Sequence, residues 1–169
     1  MRRKPRSATQ LMPLRRSVIE HFSLQQHCAL AAFSDGKGAA DQLLFLIRIV
    51  YLPFLMARAE RGRKADPEPY RTAETMLYRC FLRGQAGDEW WPDADEAGHF
   101  AGLLAHYDAQ LAACRSHVYF DALGSLADAG HARRSPLAEP GAPPQDSAFF
   151  LLLLETVKSA NAKSRPSNG

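Results

Sequence analysis

Three cysteines in 169 residues are too few and too far apart to staple a fold. Cys28, Cys80 and Cys114 form no C-x-x-C pair, and each sits among apolar residues at helical spacing. A disulfide framework is excluded, a reducing compartment is the expected setting, and the thiols read as small buried hydrophobes. Motifs that carry chemistry are scarce too. There is no G-x-S-x-G elbow and no G-x-x-x-x-G-K-[ST] phosphate loop; Gly36-Lys37-Gly38 reads as a turn with no buried strand before it. No apolar stretch and cleavage site follow the basic start, so a secretory signal is not expected. The most apolar window, residues 43–57, contains Arg48 and Pro53 and is shorter than the ~20 residues of a spanning helix. These absences lead to the expectation of a soluble cytoplasmic protein, with no membrane partner, no cofactor and no enzymatic activity.

What the chain does have is a core. Apolar residues make up 46% and charged residues 23%, enough for one globular domain. The apolar spacing is helical throughout, which predicts an all-α bundle of about five helices. Ser23 is the expected N-cap of the first, running through Leu24, Cys28, Leu30, Ala31 and Phe33. Asp41 is the expected cap of the second, which extends to about Arg61. Apolar on nearly every face, it belongs at the centre of the bundle, with a kink expected at Pro53. Asp66-Pro67 starts a third helix ending near Gly84. Asp93 caps a fourth, with Phe100, Leu103, Leu104, Tyr107, Leu111 and Cys114 in one stripe. Ser116 caps a fifth that stops near Gly130. The chain therefore divides into a flexible basic arm (1–16), the bundle (17–130), a Pro-rich linker (131–147) and an apolar run with a polar tail (148–169).

Charge is unevenly spread. The first 16 residues hold Arg2, Arg3, Lys4, Arg6, Arg15 and Arg16 and no acid, whereas residues 84–114 hold six acids and no Lys or Arg. The basic arm is a candidate contact for nucleic-acid phosphates. A helix-turn-helix built on the first two helices fails, because its recognition helix would be almost wholly apolar. Trp90 and Trp91, beside Asp88, Glu89 and Asp93, read either as a protein-binding hot spot or as a lid folded onto the core. Phe149, Phe150 and Leu152 belong to an apolar run that either docks on its own domain or anchors a partner. Glu96 and His99 have the i, i+3 spacing of a carboxylate-bridged metal bundle, with Asp128 and His131 as the second copy required. The alternative for Glu96 and His99 is a solvated acidic helix start beside an exposed histidine. His99 also follows Asp95 by one turn, but no nucleophile accompanies the pair.

The segment Arg3-Lys4-Pro5-Arg6, followed by Gln10-Leu11-Met12-Pro13-Leu14 and Ser23-Leu24-x-x-His27-x-Ala29-Leu30, resembles the opening of short bacterial proteins labelled Fis-family transcriptional regulators. Asp41-Gln42 and Val50-Tyr51-Leu52 continue the resemblance, which covers the first third of the chain and implies a regulatory function. A C-terminal helix-turn-helix, which the resemblance would imply, has no counterpart here, so no DNA contacts carry over. The expected function is a non-enzymatic regulatory or adaptor protein. It would bind a protein partner, a second copy of itself, or nucleic acid through the arm. The alternatives are a carboxylate/histidine metal bundle and a homodimeric interaction module.

Overall fold

The structure, a computed structural model, describes residues 6–37, 40–60, 65–87, 91–132 and 134–138. Its helices are α1 (Ala8–Leu11), α2 (Arg16–Ser34), α3 (Ala40–Ala59), α4 (Glu68–Gly87), α5 (Ala94–Ala113) and α6 (Ser116–His131). Among the described residues there is no strand, only an isolated bridge between Pro13 and Arg115. The all-α bundle expected from the periodicity is the fold observed.

α3 sits at its centre because nearly every face of it is apolar. Leu43, Leu46, Ile49, Val50, Tyr51 and Leu52 have no exposed surface, and Met56 is almost as deep. A helix buried all round needs neighbours on all sides. α2, α4, α5 and α6 all pack on it, while α2 and α4 also meet α5, and α1 meets α6. Arg48 reaches solvent from the middle of the apolar run, its guanidinium 5.9 Å from the Phe45 ring centroid. Pro53 is buried inside α3, and the helix continues past it to Ala59. Its missing N–H leaves the Ile49 carbonyl without a helical donor.

Several boundaries differ from the sequence-based expectation. α2 starts at Arg16 rather than at Ser23, which lies inside it. The extension follows from packing: Ile19 and Phe22 carry the apolar stripe backwards, and the Phe22 ring stacks on Tyr119 of α6 at 5.5 Å. α4 runs through Gly84, which is buried, to Gly87. Ser116 is the first residue of α6 and not its cap; the N-cap, Arg115, makes no side-chain capping bond. Asp93 does cap α5, in a reciprocal box with Glu96. Asp66 accepts the Glu68 N–H at the start of α4.

At the end of α2 the Gly36 N–H bonds to Phe33 O at 3.1 Å and the Lys37 N–H to Ala32 O at 2.9 Å. This is a Schellman closure, and Gly36 takes φ 69°, a left-handed conformation that side chains disfavour. Space is not the obstacle, since an added Cβ would lie 3.9 Å from the Trp91 ring. Gly36→Ala is therefore expected to lower stability by about 1–2 kcal/mol through backbone strain, read as a lower urea midpoint at unchanged m-value.

The Pro-rich segment needs a correction at its start. Residues 134–138 are not free linker: Ser135 and Leu137 are buried against the bundle. The reason is a polar clamp. Glu74 on α4 accepts the Tyr51 hydroxyl of α3 at 2.5 Å and the Ser135 hydroxyl at 2.8 Å. Ser135 Oγ in turn accepts the Leu137 N–H, and Arg71 reaches Leu137 O. Burial pushes the Glu74 carboxyl above its ordinary value, although both hydroxyls and Arg71 pull it down. A carboxyl with a raised folded-state pKa favours the fold below its ordinary value of 4.5, and that contribution is lost as pH rises through the folded-state value. Glu74→Gln keeps an acceptor but cannot ionise. Urea denaturation across pH 4–8 is expected to show wild type losing stability relative to Glu74→Gln as pH rises; a constant difference would refute it.

Candidate functional site

The basic arm read from the sequence proves to be docked over residues 6–16, the part that the structure describes. Gln10 O accepts from the Ser116 hydroxyl at 3.1 Å and pairs with His117 Nδ1 at 2.9 Å. Met12 O accepts the Ser116 N–H at 2.8 Å, and Leu14 is buried. The donors at the start of α6 explain why this polar segment lies down: they need acceptors, and the arm's carbonyls supply them. Arg6 is fixed by Asp121 at 2.8 Å. Arg2, Arg3 and Lys4 lie outside the described residues.

Docking creates a corner that the linear sequence does not contain. The Pro13–Arg115 bridge sets the N-cap of α6 beside the chain that enters α2, whose own N-cap is Arg15. Arg15, Arg16 and Arg115 are all exposed. Neither helix has an acid in its first turn, so the positive dipole end of each adds to the charge of the arginines it carries. Arg16 pairs with Glu20 at 2.7 Å, but at 91% and 62% side-chain exposure that pair is worth little. Apolar groups stand in the same corner: Met12 is 62% exposed and Phe120 57%. The Phe120 ring meets Tyr119 edge-on at 5.4 Å, extending the aromatic contact that Tyr119 makes with Phe22. Sequence reasoning found Arg6, Arg15 and Arg16 but missed Arg115, Met12 and Phe120, whose proximity depends on pairing between segments about a hundred residues apart in the chain.

The metal reading of Glu96 and His99 does not survive. Glu96 is 2% exposed, not solvated. Its Oε2 accepts from Arg83 at 2.5 Å and from the Asp93 N–H at 3.0 Å, while Oε1 is buried without a hydrogen bond. His99 instead pairs through Nε2 with Pro69 O at 3.0 Å, not with Asp95. Among the described residues no group of three His, Cys, Asp or Glu side chains is placed to hold a metal. Arg83 also donates to Trp91 O at 2.9 Å and to Cys80 Sγ at 3.1 Å, so it ties α4 to both the loop and α5. Removing Glu96 loses a cap and strands Arg83. Glu96→Ala is expected to destabilise the protein by roughly 2–4 kcal/mol, measured by urea denaturation, with loss below about 1 kcal/mol counting against the clamp.

Two of the three thiols are held in their protonated form. Burial pushes Cys80 up to about 12 and Cys114 up to about 11, so both are protonated at neutral pH. Cys28 is exposed, contrary to the expectation that all three are buried. His27 of α2 meets Asp108 of α5 at 2.9 Å. Beside that pair, Tyr107 and Gln26 face each other in the interior, yet neither the Tyr107 hydroxyl nor Gln26 Oε1 reaches hydrogen-bonding geometry.

Of the two tryptophans, Trp91 is half-buried and lies over Gly36; Trp90 lies outside the described residues. Trp91 therefore behaves as a lid on the α2 turn rather than as an exposed anchor. Phe149, Phe150 and Leu152 also lie outside the described residues. No helix among the described residues is long and apolar enough to cross a membrane. Comparison with protein families, curated proteins and solved structures finds no match for this chain.

Proposed function

We propose that this chain is a non-enzymatic regulatory or adaptor protein of the cytoplasm that binds a polyanionic macromolecule, nucleic acid in the first instance, through the corner between α1, α2 and α6. What supports this reading is the Pro13–Arg115 bridge, which brings the N-cap of α6 to the chain that carries Arg15 and Arg16 into α2, with no acid in the first turn of either helix. Phosphates are the natural counterpart of such a field. Arg2, Arg3 and Lys4 precede the corner in sequence and add positive charge. Met12 and Phe120 supply apolar surface beside it for sugar or base contact. The carboxylates of Glu96 and Glu74 act in this reading as structural clamps, Glu96 with Arg83 and Glu74 with Tyr51 and Ser135.

Deleting residues 1–16 would also remove Leu14 and the acceptors for Ser116, so charge reversal is the cleaner test. Fluorescence anisotropy with a short labelled DNA duplex and its single strand is expected to show affinity falling steeply with salt. The triple variant Arg15→Glu, Arg16→Glu, Arg115→Glu is expected to bind more than 10-fold more weakly. Its log–log salt dependence should be shallower by about one unit for each phosphate that the variant no longer neutralises. Circular dichroism should be unchanged, because all three side chains are exposed. No binding, or binding indifferent to salt and to these substitutions, would overturn the reading.

A further inference from the structure

The aromatic contacts between α2 and α6 form one row. The His21 and Phe22 ring centroids lie 6.1 Å apart, Phe22 stacks on Tyr119 at 5.5 Å, and Phe120 meets Tyr119 edge-on at 5.4 Å. The middle of the row is covered, Tyr119 being buried and Phe22 half-buried, while its end rings, His21 and Phe120, are exposed. Two pairings fix where this row stands. Pro13 bridges to Arg115 just before the two helices begin, and Phe22 meets Tyr119 within their first two turns. Contacts that advance along both segments together set α2 and α6 side by side with their starts at one end. Arg16 precedes Phe22 by six residues and Arg115 precedes Tyr119 by four, about 9 and 6 Å along the helix axes. Two acids flank the row, and each is paired with an arginine: Glu20 with Arg16 at 2.7 Å and Asp121 with Arg6 at 2.8 Å. Arg15 and Arg115 have no acid partner among the described residues.

Resting on the polyanion reading above, we propose that the ligand is single-stranded nucleic acid, with an unpaired base stacking on the Phe120 ring while Arg15, Arg16 and Arg115 hold the adjoining phosphates. A duplex presents base edges in its grooves and phosphates outside, with its base faces closed against one another. A phenyl ring has neither donor nor acceptor with which to read an edge. What it can offer is a face, and only an unpaired base offers one in return. Contact with Tyr119 restrains the Phe120 ring before any ligand arrives, which lowers the ordering cost of stacking. Because every base has such a face, this recognition tolerates sequence and discriminates by strandedness.

Fluorescence anisotropy of the full chain compares three labelled probes of equal length: an oligothymidylate, a strand of abasic sites, and a duplex. Phe120→Ala is expected to weaken binding of the oligothymidylate by at least about 5-fold and to leave the abasic strand and the duplex unchanged. Phe120→Trp, which keeps a stacking ring, is expected to restore the oligothymidylate, and Phe120→Leu, which keeps only apolar area, is not. The triple variant Arg15→Glu, Arg16→Glu, Arg115→Glu is expected to weaken all three probes, since each carries phosphates. Equal wild-type affinity for the oligothymidylate and the abasic strand, or a Phe120→Leu variant that binds like wild type, would overturn the single-strand proposal. The polyanion reading would then stand on the arginine variant alone. Binding to none of the three probes would remove both.

Discussion

Everything in this fold answers to the burial of α3. A helix that hides Leu43, Leu46, Ile49, Val50, Tyr51, Leu52 and Met56 from water needs apolar surface from several directions. Each such side chain is worth about 1.5–3 kcal/mol when fully buried. α2, α5 and α6 meet that demand with long stripes of their own. Arg48 remains compatible with it because it is exposed, with its guanidinium over the Phe45 ring. Pro53 is tolerated for a related reason: packing on all sides holds the helix through the missing hydrogen bond.

Polar groups secure what apolar contact alone does not. α4 meets the bundle through fewer neighbours than α3 does, and two carboxylates, Glu96 buried and Glu74 half-buried, fasten it. Glu96 binds Arg83 and the start of its own helix, while Glu74 binds Tyr51 and the strap at Ser135. A buried carboxylate without such partners would be costly, so each clamp also fixes one arrangement of its elements. The same logic docks residues 6–16, where the donors at the start of α6 find carbonyls in the preceding chain.

That docking changes the meaning of the charge pattern. Read along the chain, Arg15 and Arg16 belong to a solvated arm and Arg115 to an unrelated helix boundary. In the fold they share a corner with two helix N-termini, and Met12 and Phe120 stand beside them. Charge held at a fixed place differs from charge on a flexible tail, because its geometry is set by the fold.

The amino-acid sequence by itself determined the all-α class, the central place of α3, the capping of α5 by Asp93 and the stripe from Phe100 to Cys114. Those features rest on local periodicity and on bonds between residues three or four apart, which a linear reading can see. Tertiary structure alone decided the direction of Glu96, which the i, i+3 spacing with His99 suggested was a ligand and which Arg83 instead draws inward. It also decided the length of α2, because Phe22 continues the helix for the sake of Tyr119, and the pairing of His27 with Asp108 across 81 residues. Above all it decided that residues 6–14, the described part of the stretch read as an arm, lie against α6. That outcome depends on carbonyls and N–H groups with no signature in side-chain identity, so composition could indicate the charge but not where it would be held.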